Sequence, residues 1–200
     1  MKPRQQRKFR VHGEYGRMAA VSVYTEIFAL FAERGADCYF GESVSTTQHC
    51  LQAALFAEQA GASAALVLAA LLHDIGHLID AAPNDLAEWS TDAHHEEVGG
   101  RWLAQRFGPE VSEPVRLHVP AKRFLCATDA GYFSKLSMAS GLTLKLQGGP
   151  MSAAEAADFA TQPFHGDAIR VRHWDDAGKV ADLATRSLDD YGGLIRGMCK

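Results

Sequence analysis

The feature that most constrains the fold is the apolar stretch Ala60–Leu72, which leads directly into His73 and Asp74. The stretch is interrupted and shorter than the roughly 18–20 residues of a membrane span, so we expect a buried helix. An ionised carboxylate buried without a partner is costly, and a metal ion removes that cost because imidazole and carboxylate are both metal ligands. The pattern therefore predicts a metal site, the alternative being a helix cap followed by a surface histidine.

His77 extends this pattern, because it lies one helical turn after His73 and projects from the same face. Asp74 can bridge two ions with its two oxygens, and Gly76 leaves room for a ligand or another helix to approach closely. The segment HDIGH thus indicates a cavity that several side chains share.

Other candidate ligands are His49, His95 and His118, which fall on separate predicted helices, and Asp175, in an acidic pair with Asp176. A lone histidine on a helix is more often packed or exposed than a ligand, but three of them around one His-Asp pair favour a shared metal site. For the acidic pair, a surface position is an equal alternative.

Helical periodicity dominates the chain and predicts an all-α fold, with a single domain over residues 18–200. Residues 1–17 are expected to be a disordered basic arm, and Met18 is an alternative first residue. The predicted helices cover residues 21–34, 45–59, 63–79, 92–107, 110–124, 132–136, 140–147, 152–160, 169–174 and 188–196.

The charge balance excludes some function classes. With 20 basic and 24 acidic residues the net charge is −4, which argues against binding to nucleic acid or to a membrane surface. Four widely spaced cysteines indicate free thiols in a reducing compartment. No secretory signal is evident, so we expect a cytoplasmic protein.

Several segments together resemble the HD-domain superfamily, and within it the phosphonate-degrading PhnZ-type oxygenases, with a more distant similarity to myo-inositol oxygenase. The pattern HD alone is weakly specific, whereas its combination with the other segments is far more specific. They are Tyr39–Glu42, Gln48-His49, Ala69–His77, His95–Gly99, His118–Arg123, Leu146–Met151 and Arg172–Asp175. The resemblance implies a single HD-domain helical bundle.

The resemblance also implies a cofactor of two iron ions in a mixed-valent Fe(II)/Fe(III) state. One iron would be held by His49, His73, Asp74 and Asp175, and the other by Asp74, His95 and His118, with Asp74 as the bridge.

For catalysis and substrate binding, the resemblance implies roles for side chains around this centre. Tyr39 would bind an iron at rest and leave when substrate arrives, Glu42 would reach the nitrogen end of the substrate, and His77 would lie near the reacting carbon. The residues implied to line the phosphonate pocket are Lys122, Ser140, Arg172 and Gln147.

The implied reaction is O2-dependent cleavage of the carbon–phosphorus bond of a small organophosphonate that a separate hydroxylase has prepared. The substrate is 1-hydroxy-2-aminoethylphosphonate, giving phosphate and glycine, or its N-trimethyl analogue, giving glycine betaine. Phe40 and Trp89 would favour the trimethyl substrate if they formed an aromatic cage with Tyr39, the alternative being that Phe40 is simply core.

Two other functions stay open from the sequence. A metal-dependent HD phosphohydrolase shares the His-Asp pair and the basic pocket but needs only a metal-activated water. A non-catalytic sensor on a degenerate HD fold is disfavoured by the complete set of candidate ligands.

Overall fold

The computed structural model describes residues 22–37, 39, 41–80 and 94–200. Within these ranges the chain forms ten α-helices and two 3₁₀ helices, Phe133–Lys135 and Leu188–Tyr191, with no β-strand, so the prediction of an all-α fold is confirmed. The α-helices are α1 (Val23–Arg34), α2 (Thr46–Gln59), α3 (Ala64–Leu72), α4 (Ile75–Ile79), α5 (His95–Ala104), α6 (Pro109–Thr128), α7 (Met138–Leu146), α8 (Ala153–Thr161), α9 (His165–Ala177) and α10 (Gly192–Met198).

Serine side chains fix the start of several helices by accepting a backbone N–H of the first turn. Ser45 caps α2 and forms a capping box with Gln48, while Ser152 and Glu155 form the predicted capping box of α8. Ser63 caps α3 by accepting the N–H of Leu66. The cap signals in the sequence therefore place these helix starts correctly.

The predicted continuous helix over residues 63–79 is wrong, because the chain breaks at the His-Asp pair. Helix α3 ends at Leu72, Asp74 has φ −100° and ψ 13°, and α4 begins at Ile75. These angles fall in the sparsely populated bridge region, where many active-site residues are found. The break divides this segment into the buried helix α3 and the short helix α4, and Asp74 lies between the two helices.

Helix α6 is the centre of the bundle and packs against α3, α5, α8 and α9, while α3 also contacts α2 and α9. Residues Ala65–Leu72 are all buried, as the uninterrupted apolar pattern of α3 requires. Pro114 and Pro120 lie inside α6. The helices that carry the candidate ligands thus converge on one core.

Other boundaries differ from the predictions. The segment 132–136 forms only a 3₁₀ helix, α9 begins earlier than predicted, at His165, and the last predicted helix is divided into a 3₁₀ helix and α10. Cys50, Cys126 and Cys199 are free thiols, as expected. Within the described residues, none of the helices combines the length and apolar character needed to cross a bilayer. The predicted arm, residues 1–17, lies outside the described residues.

Candidate dinuclear metal centre

Four buried histidines from four parts of the bundle meet in two pairs. His49 lies on α2, His73 follows α3, His95 begins α5 and His118 lies on α6. The Nε2 atoms of His49 and His73 are 3.0 Å apart, and those of His95 and His118 are 3.2 Å apart. The structure therefore brings together histidines that lie far apart in the chain, His49 and His118 being separated by 69 positions.

Asp74 lies between the two pairs with one carboxylate oxygen toward each. Its Oδ2 is 3.5 Å from Nε2 of both His49 and His73. Its Oδ1 is 3.3 Å from Nε2 of His95 and 3.6 Å from Nε2 of His118. This is the arrangement that a bridging carboxylate needs.

Asp175 and Tyr39 join the first pair. Asp175 Oδ1 lies 3.4 Å from Nε2 of His49 and 3.9 Å from Nε2 of His73. The Tyr39 hydroxyl donates to Asp74 Oδ2 at 2.7 Å, and its ring stacks on His49 at 3.9 Å between centroids. The group around His49 is therefore richer in oxygen atoms than the group around His95.

Backbone carbonyls orient three of the four imidazole rings. Because a carbonyl only accepts hydrogen bonds, each Nδ1 that contacts one must carry the proton, which leaves Nε2 of a neutral ring free to bind a metal. The contacts run from Nδ1 of His49 to Gly178, of His73 to Ala70 and of His118 to Val115, at 2.9, 2.8 and 2.7 Å.

The fourth ring, that of His95, faces a carboxylate instead. Its Nδ1 lies 3.6 Å from Oε2 of the buried Glu96, and neither atom has a hydrogen-bond partner. A small shift of either side chain would form the carboxylate–histidine contact that commonly supports a metal-bound imidazole. Glu96 is thus placed to orient His95.

The donor set fits two metal ions. Two nitrogen lone pairs about 3 Å apart repel each other unless a proton or cation lies between them, and metal–nitrogen bonds of about 2.1 Å at right angles give that spacing. Candidate donor atoms lie within 4.8 Å of one another in two groups, His49–His73–Asp74 and Asp74–His95–His118. Imidazole nitrogen and carboxylate oxygen suit first-row ions such as iron.

The electrostatics put Asp74 and His118 in binding-competent states. At His49, burial lowers the pKa, but the carboxylates of Asp175 and Asp74 outweigh it and raise that pKa to about 9, so a metal bound there must displace a proton. Burial raises the pKa of Asp74, but His73, His49 and His95 outweigh it and hold that pKa well below its ordinary value. Burial, helped by the charges of His95 and His73, lowers the pKa of His118 to about 3. Asp74 is therefore an anion and His118 a neutral ligand near neutral pH.

A polar cavity of about 30 Å³ adjoins the centre and is bordered by Asp74, His77, Lys122 and Arg172. Lys122 is buried and donates to Thr143 Oγ1 at 3.0 Å. Burial, followed by the charge of Arg172, lowers the pKa of Lys122 to about 7. Burial destabilises the charged form of this amine, and an anion bound beside it would stabilise that form.

Arg172 is held from several sides. It donates to Asp175 Oδ2 at 2.7 Å, to the Tyr132 hydroxyl at 2.9 Å and to Ser140 Oγ at 3.3 Å, and it pairs with Asp176. One guanidinium thus connects a candidate metal ligand with the wall of the cavity. Of the late acidic pair, Asp175 is accordingly buried, whereas Asp176 is partly exposed.

The other predicted site residues lie at different distances from the candidate metal centre. His77 borders the cavity and stacks on His95 at 3.9 Å, and Gln147 borders it with a buried Oε1 that has no hydrogen-bond partner. Glu42 lies at the rim, with Oε1 3.8 Å from Lys179 Nζ. Phe40 and Trp89, the proposed cage residues, lie outside the described residues.

Sequence reasoning missed Thr143, Tyr132 and Lys179, which all contact the cavity wall. Thr143 lies one helical turn after Ser140, so helical spacing could have found it. Tyr132 and Lys179 lie outside the α-helices, where periodicity gives no orientation.

The chain is similar to several known proteins. Residues 46–129 match the HD-domain family. The chain is 45% identical over 171 residues to hydroxymethylphosphonate dioxygenase of Gimesia maris, covering 84% of this chain and 83% of that protein. It is 42% identical over 172 residues to the glycine-betaine-forming [1-hydroxy-2-(trimethylamino)ethyl]phosphonate dioxygenase of Leisingera caerulea, covering 86% and 88% of the two chains. The uncharacterized protein L432 of Acanthamoeba polyphaga mimivirus is 33% identical over 171 residues, covering 84% and 78%.

Proposed function

This chain belongs to the HD-domain family of phosphonate dioxygenases, which are oxygenase enzymes, and from that premise we propose that it cleaves the carbon–phosphorus bond of a 1-hydroxyphosphonate with O2. The observation that carries the proposal is the position of Asp74. Its carboxylate lies between two histidine pairs and also borders a cavity with buried cationic side chains. A metal centre and an anion site therefore share one wall.

We propose that the metals are two iron ions in a mixed-valent state. His49, His73, Asp74 and Asp175 would hold one ion, and Asp74, His95 and His118 the other, in keeping with the distances between their donor atoms. When bound, the iron pair supplies the activation of O2 and the one-electron chemistry that amino-acid side chains lack.

The phosphonate would bind at the basic wall of the cavity. Lys122 and Arg172 provide charge for a dianion, and the Ser140 hydroxyl provides a further hydrogen bond. Ser140 Oγ already accepts from Arg172, so its own proton is available to a phosphonate oxygen. Gln147 borders the same cavity and would support the same end of the substrate by donating from its amide nitrogen Nε2.

The reacting carbon would then lie between His77 and the Asp74 bridge. Burial, with the charge of His95, lowers the pKa of His77 well below its ordinary value, so a neutral ring is available to accept the proton of the substrate hydroxyl. The overall change breaks the carbon–phosphorus bond and both O2 atoms enter the products, a carboxylate and phosphate, with one proton released. Tyr39 must first move, because a cavity of about 30 Å³ holds little more than one water molecule.

The proposal leaves open which substituent the substrate has on carbon 1. Glu42 at the rim suits an ammonium, as in 1-hydroxy-2-aminoethylphosphonate or its N-trimethyl analogue, which would give glycine or glycine betaine. Hydroxymethylphosphonate, the compound in the name of the Gimesia maris relative, is a third candidate substrate and would give formate. In each case a preceding hydroxylation of a phosphonate must supply the substrate.

The test is to measure O2 uptake and phosphate release with these three hydroxyphosphonates on iron-loaded protein. Equal amounts of O2 consumed and phosphate released, with no release under anaerobic conditions, are expected. Phosphate release that continues without O2 would instead support an HD phosphohydrolase. Absence of turnover with all three substrates would overturn the proposal.

A further inference from the structure

Arg123 joins two of the segments that carry the family resemblance, residues 118–123 and 146–151. Its Nε donates to the Gly149 carbonyl at 2.9 Å, and its own carbonyl accepts the Met151 N–H at 3.2 Å. One residue of α6 therefore fixes the chain that follows α7 through both its side chain and its backbone.

A second acceptor keeps the Arg123 guanidinium in place. Its Nη2 donates to Glu155 Oε1 at 2.8 Å, and the other oxygen of Glu155 accepts the Ser152 N–H in the capping box of α8. Because the guanidinium is planar and rigid, two of its nitrogens reach two fixed acceptors at once. A lysine in this position would keep the charge but not the fork that spans both acceptors.

Two glycines give the chain after α7 the conformation that presents a carbonyl to Arg123. Gly148 and Gly149 have φ values of 92° and 74°, in the left-handed region that glycine adopts without strain. The Gly149 N–H donates to the Leu144 carbonyl at 2.8 Å, a contact typical of a glycine-terminated helix. Gln147, the C-cap residue of α7, immediately precedes this turn.

Gln147 depends on the turn for its placement. Its side chain borders the cavity, and its buried Oε1 has no hydrogen-bond partner in the described part of the chain. No contact of that oxygen therefore sets the direction of the side chain. The direction follows instead from the backbone that Arg123 fixes two residues later, at Gly149.

The inner face of α7, by contrast, is bound by cations that a phosphonate would also contact. Lys122 donates to Thr143 Oγ1 at 3.0 Å. Arg172 and Lys179 donate to Ser140 Oγ at 3.3 and 3.0 Å. A phosphonate in the cavity would accept from the same donors and compete with these contacts. The wall formed by α7 therefore needs a support that does not depend on the cavity cations.

Arg123 has the position that such a support requires. It follows Lys122 directly on α6, and consecutive residues of a helix point about 100° apart. Lys122 borders the cavity, whereas Arg123 reaches Gly149 and Glu155 outside it. The contact between Arg123 and Gly149 is thus the same whichever anion the cavity holds.

We propose that Arg123 is a positioning residue of the phosphonate site, which acts through the Gly149 carbonyl to set the position of Gln147. This inference rests on the proposed function, because the ligand that Gln147 meets is the phosphonate. Arg123 does not touch that ligand, so its loss weakens binding without abolishing it and leaves the metal ligands in place. The pair Lys122-Arg123 thus has two roles: Lys122 contacts the anion, and Arg123 holds the opposite wall.

The first test is the affinity for methylphosphonate, which has neither the reactive hydroxyl nor a nitrogen, measured calorimetrically on the anaerobic iron-loaded protein. Arg123→Met is expected to raise Kd about two- to tenfold, the range for loss of one hydrogen bond. Arg123→Lys keeps the charge but has no Nε for Gly149, and a similar rise is expected. Glu155→Gln is expected to stay within about twofold of the wild-type Kd, because the contact with Gly149 remains.

Arg116→Met is the matched control. Arg116 lies on the same helix, is partly exposed like Arg123 and pairs with Glu113, away from the cavity. Its substitution is expected to leave Kd unchanged. Iron content and circular dichroism, measured on every variant, are expected to match the wild-type protein.

The second test is a double-mutant cycle, which a general loss of stability would not reproduce. Gln147→Met alone is expected to raise Kd for methylphosphonate. Because Arg123 acts through Gln147, Arg123→Met in that background should change Kd by less than about twofold. Effects that multiply in the double variant would show that Arg123 acts elsewhere, and would overturn the proposal.

The other outcomes separate this role from the proposed function. A wild-type Kd in Arg123→Met or Arg123→Lys, a rise as large in Glu155→Gln, or loss of iron in both Arg123 variants overturns the positioning role while the phosphonate site stands. Failure of methylphosphonate to bind the wild-type protein overturns the phosphonate site, and the role of Arg123 with it.

Discussion

The Tyr39 hydroxyl donates a hydrogen bond of 2.7 Å to Asp74 Oδ2, the same oxygen that faces His49 and His73. Tyr39 therefore occupies a position at the candidate centre itself and not merely at the entrance. Any ligand that approaches this side of Asp74 competes with a buried hydrogen bond, and the strength of that bond becomes part of the binding equilibrium.

Tyr39→Phe is expected to tighten methylphosphonate binding. The substitution removes only the hydroxyl, and with it a hydrogen bond worth about 0.5–1.5 kcal/mol, so Kd should fall roughly two- to tenfold. Calorimetric titration measures the change. Tyr24→Phe is the matched control, since its hydroxyl contacts Asp189 on the surface. An unchanged or higher Kd for Tyr39→Phe would show that Tyr39 does not oppose binding.

Loss of the bridge should empty both metal positions, whereas loss of one terminal ligand should affect one. Asp74→Asn removes the oxygens that face both histidine pairs, so the iron content of purified protein is expected to fall to near zero. Asp175→Asn affects only the group around His49, and about half of the iron should remain. Elemental analysis with circular dichroism as a check of folding measures this. Equal iron content in wild-type and Asp74→Asn protein would contradict the bridging role.

Methylphosphonate affinity should fall as the pH rises through about 7. The pKa of Lys122 is lowered to about 7 by burial and by Arg172, so the free protein carries the charge below that pH and loses it above. A bound dianion raises this pKa again, so at pH 8 the Lys122 amine should take up a proton on binding, and the net uptake is this proton minus those that the monoanionic fraction of the ligand releases. Titrations in buffers of different ionisation enthalpy measure the uptake. Lys122→Met should bind weakly with no such uptake, and an equal uptake in that variant would assign the proton elsewhere.

Much of the candidate centre could be predicted because its ligands fall on helices with clear patterns. His73 and Asp74 follow a helix that is buried along Ala65–Leu72, and that burial is what makes an adjacent His-Asp pair informative. The histidines on separate predicted helices and the late acidic pair added the candidates His49, His95, His118 and Asp175, which the structure brings to the same point. Their roles as iron ligands stay predictions.

The parts that could not be predicted depend on contacts between distant segments. The break at Asp74 was not predicted because the sequence around it keeps helical character, and α4, which follows the break, packs against α5, a segment distant in the chain from α3. Lys179 escaped notice because its position follows from Gln52 and Val180, 128 residues apart in the chain. Such pairings give no periodic signal in a single sequence.

Gly76 is the position where the contact between α4 and α5 is most sensitive to one methyl group. A Cβ built there would lie 1.9 Å from the carbonyl oxygen of His95 and 3.0 Å from its Cα, both backbone atoms that no rotamer change can move. Gly76→Ala must therefore displace α5, and with it His95, from the Asp74 bridge. We expect a loss of about 3 kcal/mol in the free energy of unfolding and a selective loss of the metal held by His95 and His118.

The matched control is Gly166→Ala on α9, where an added Cβ meets no atom within 4 Å. That substitution should leave the iron content unchanged and raise stability by up to about 1 kcal/mol, since alanine favours a helix over glycine. Urea unfolding followed by circular dichroism gives the free energies, and elemental analysis gives the metal content. If Gly76→Ala were as stable as Gly166→Ala and kept all its iron, the close approach of α4 and α5 would not be what holds His95 at the centre.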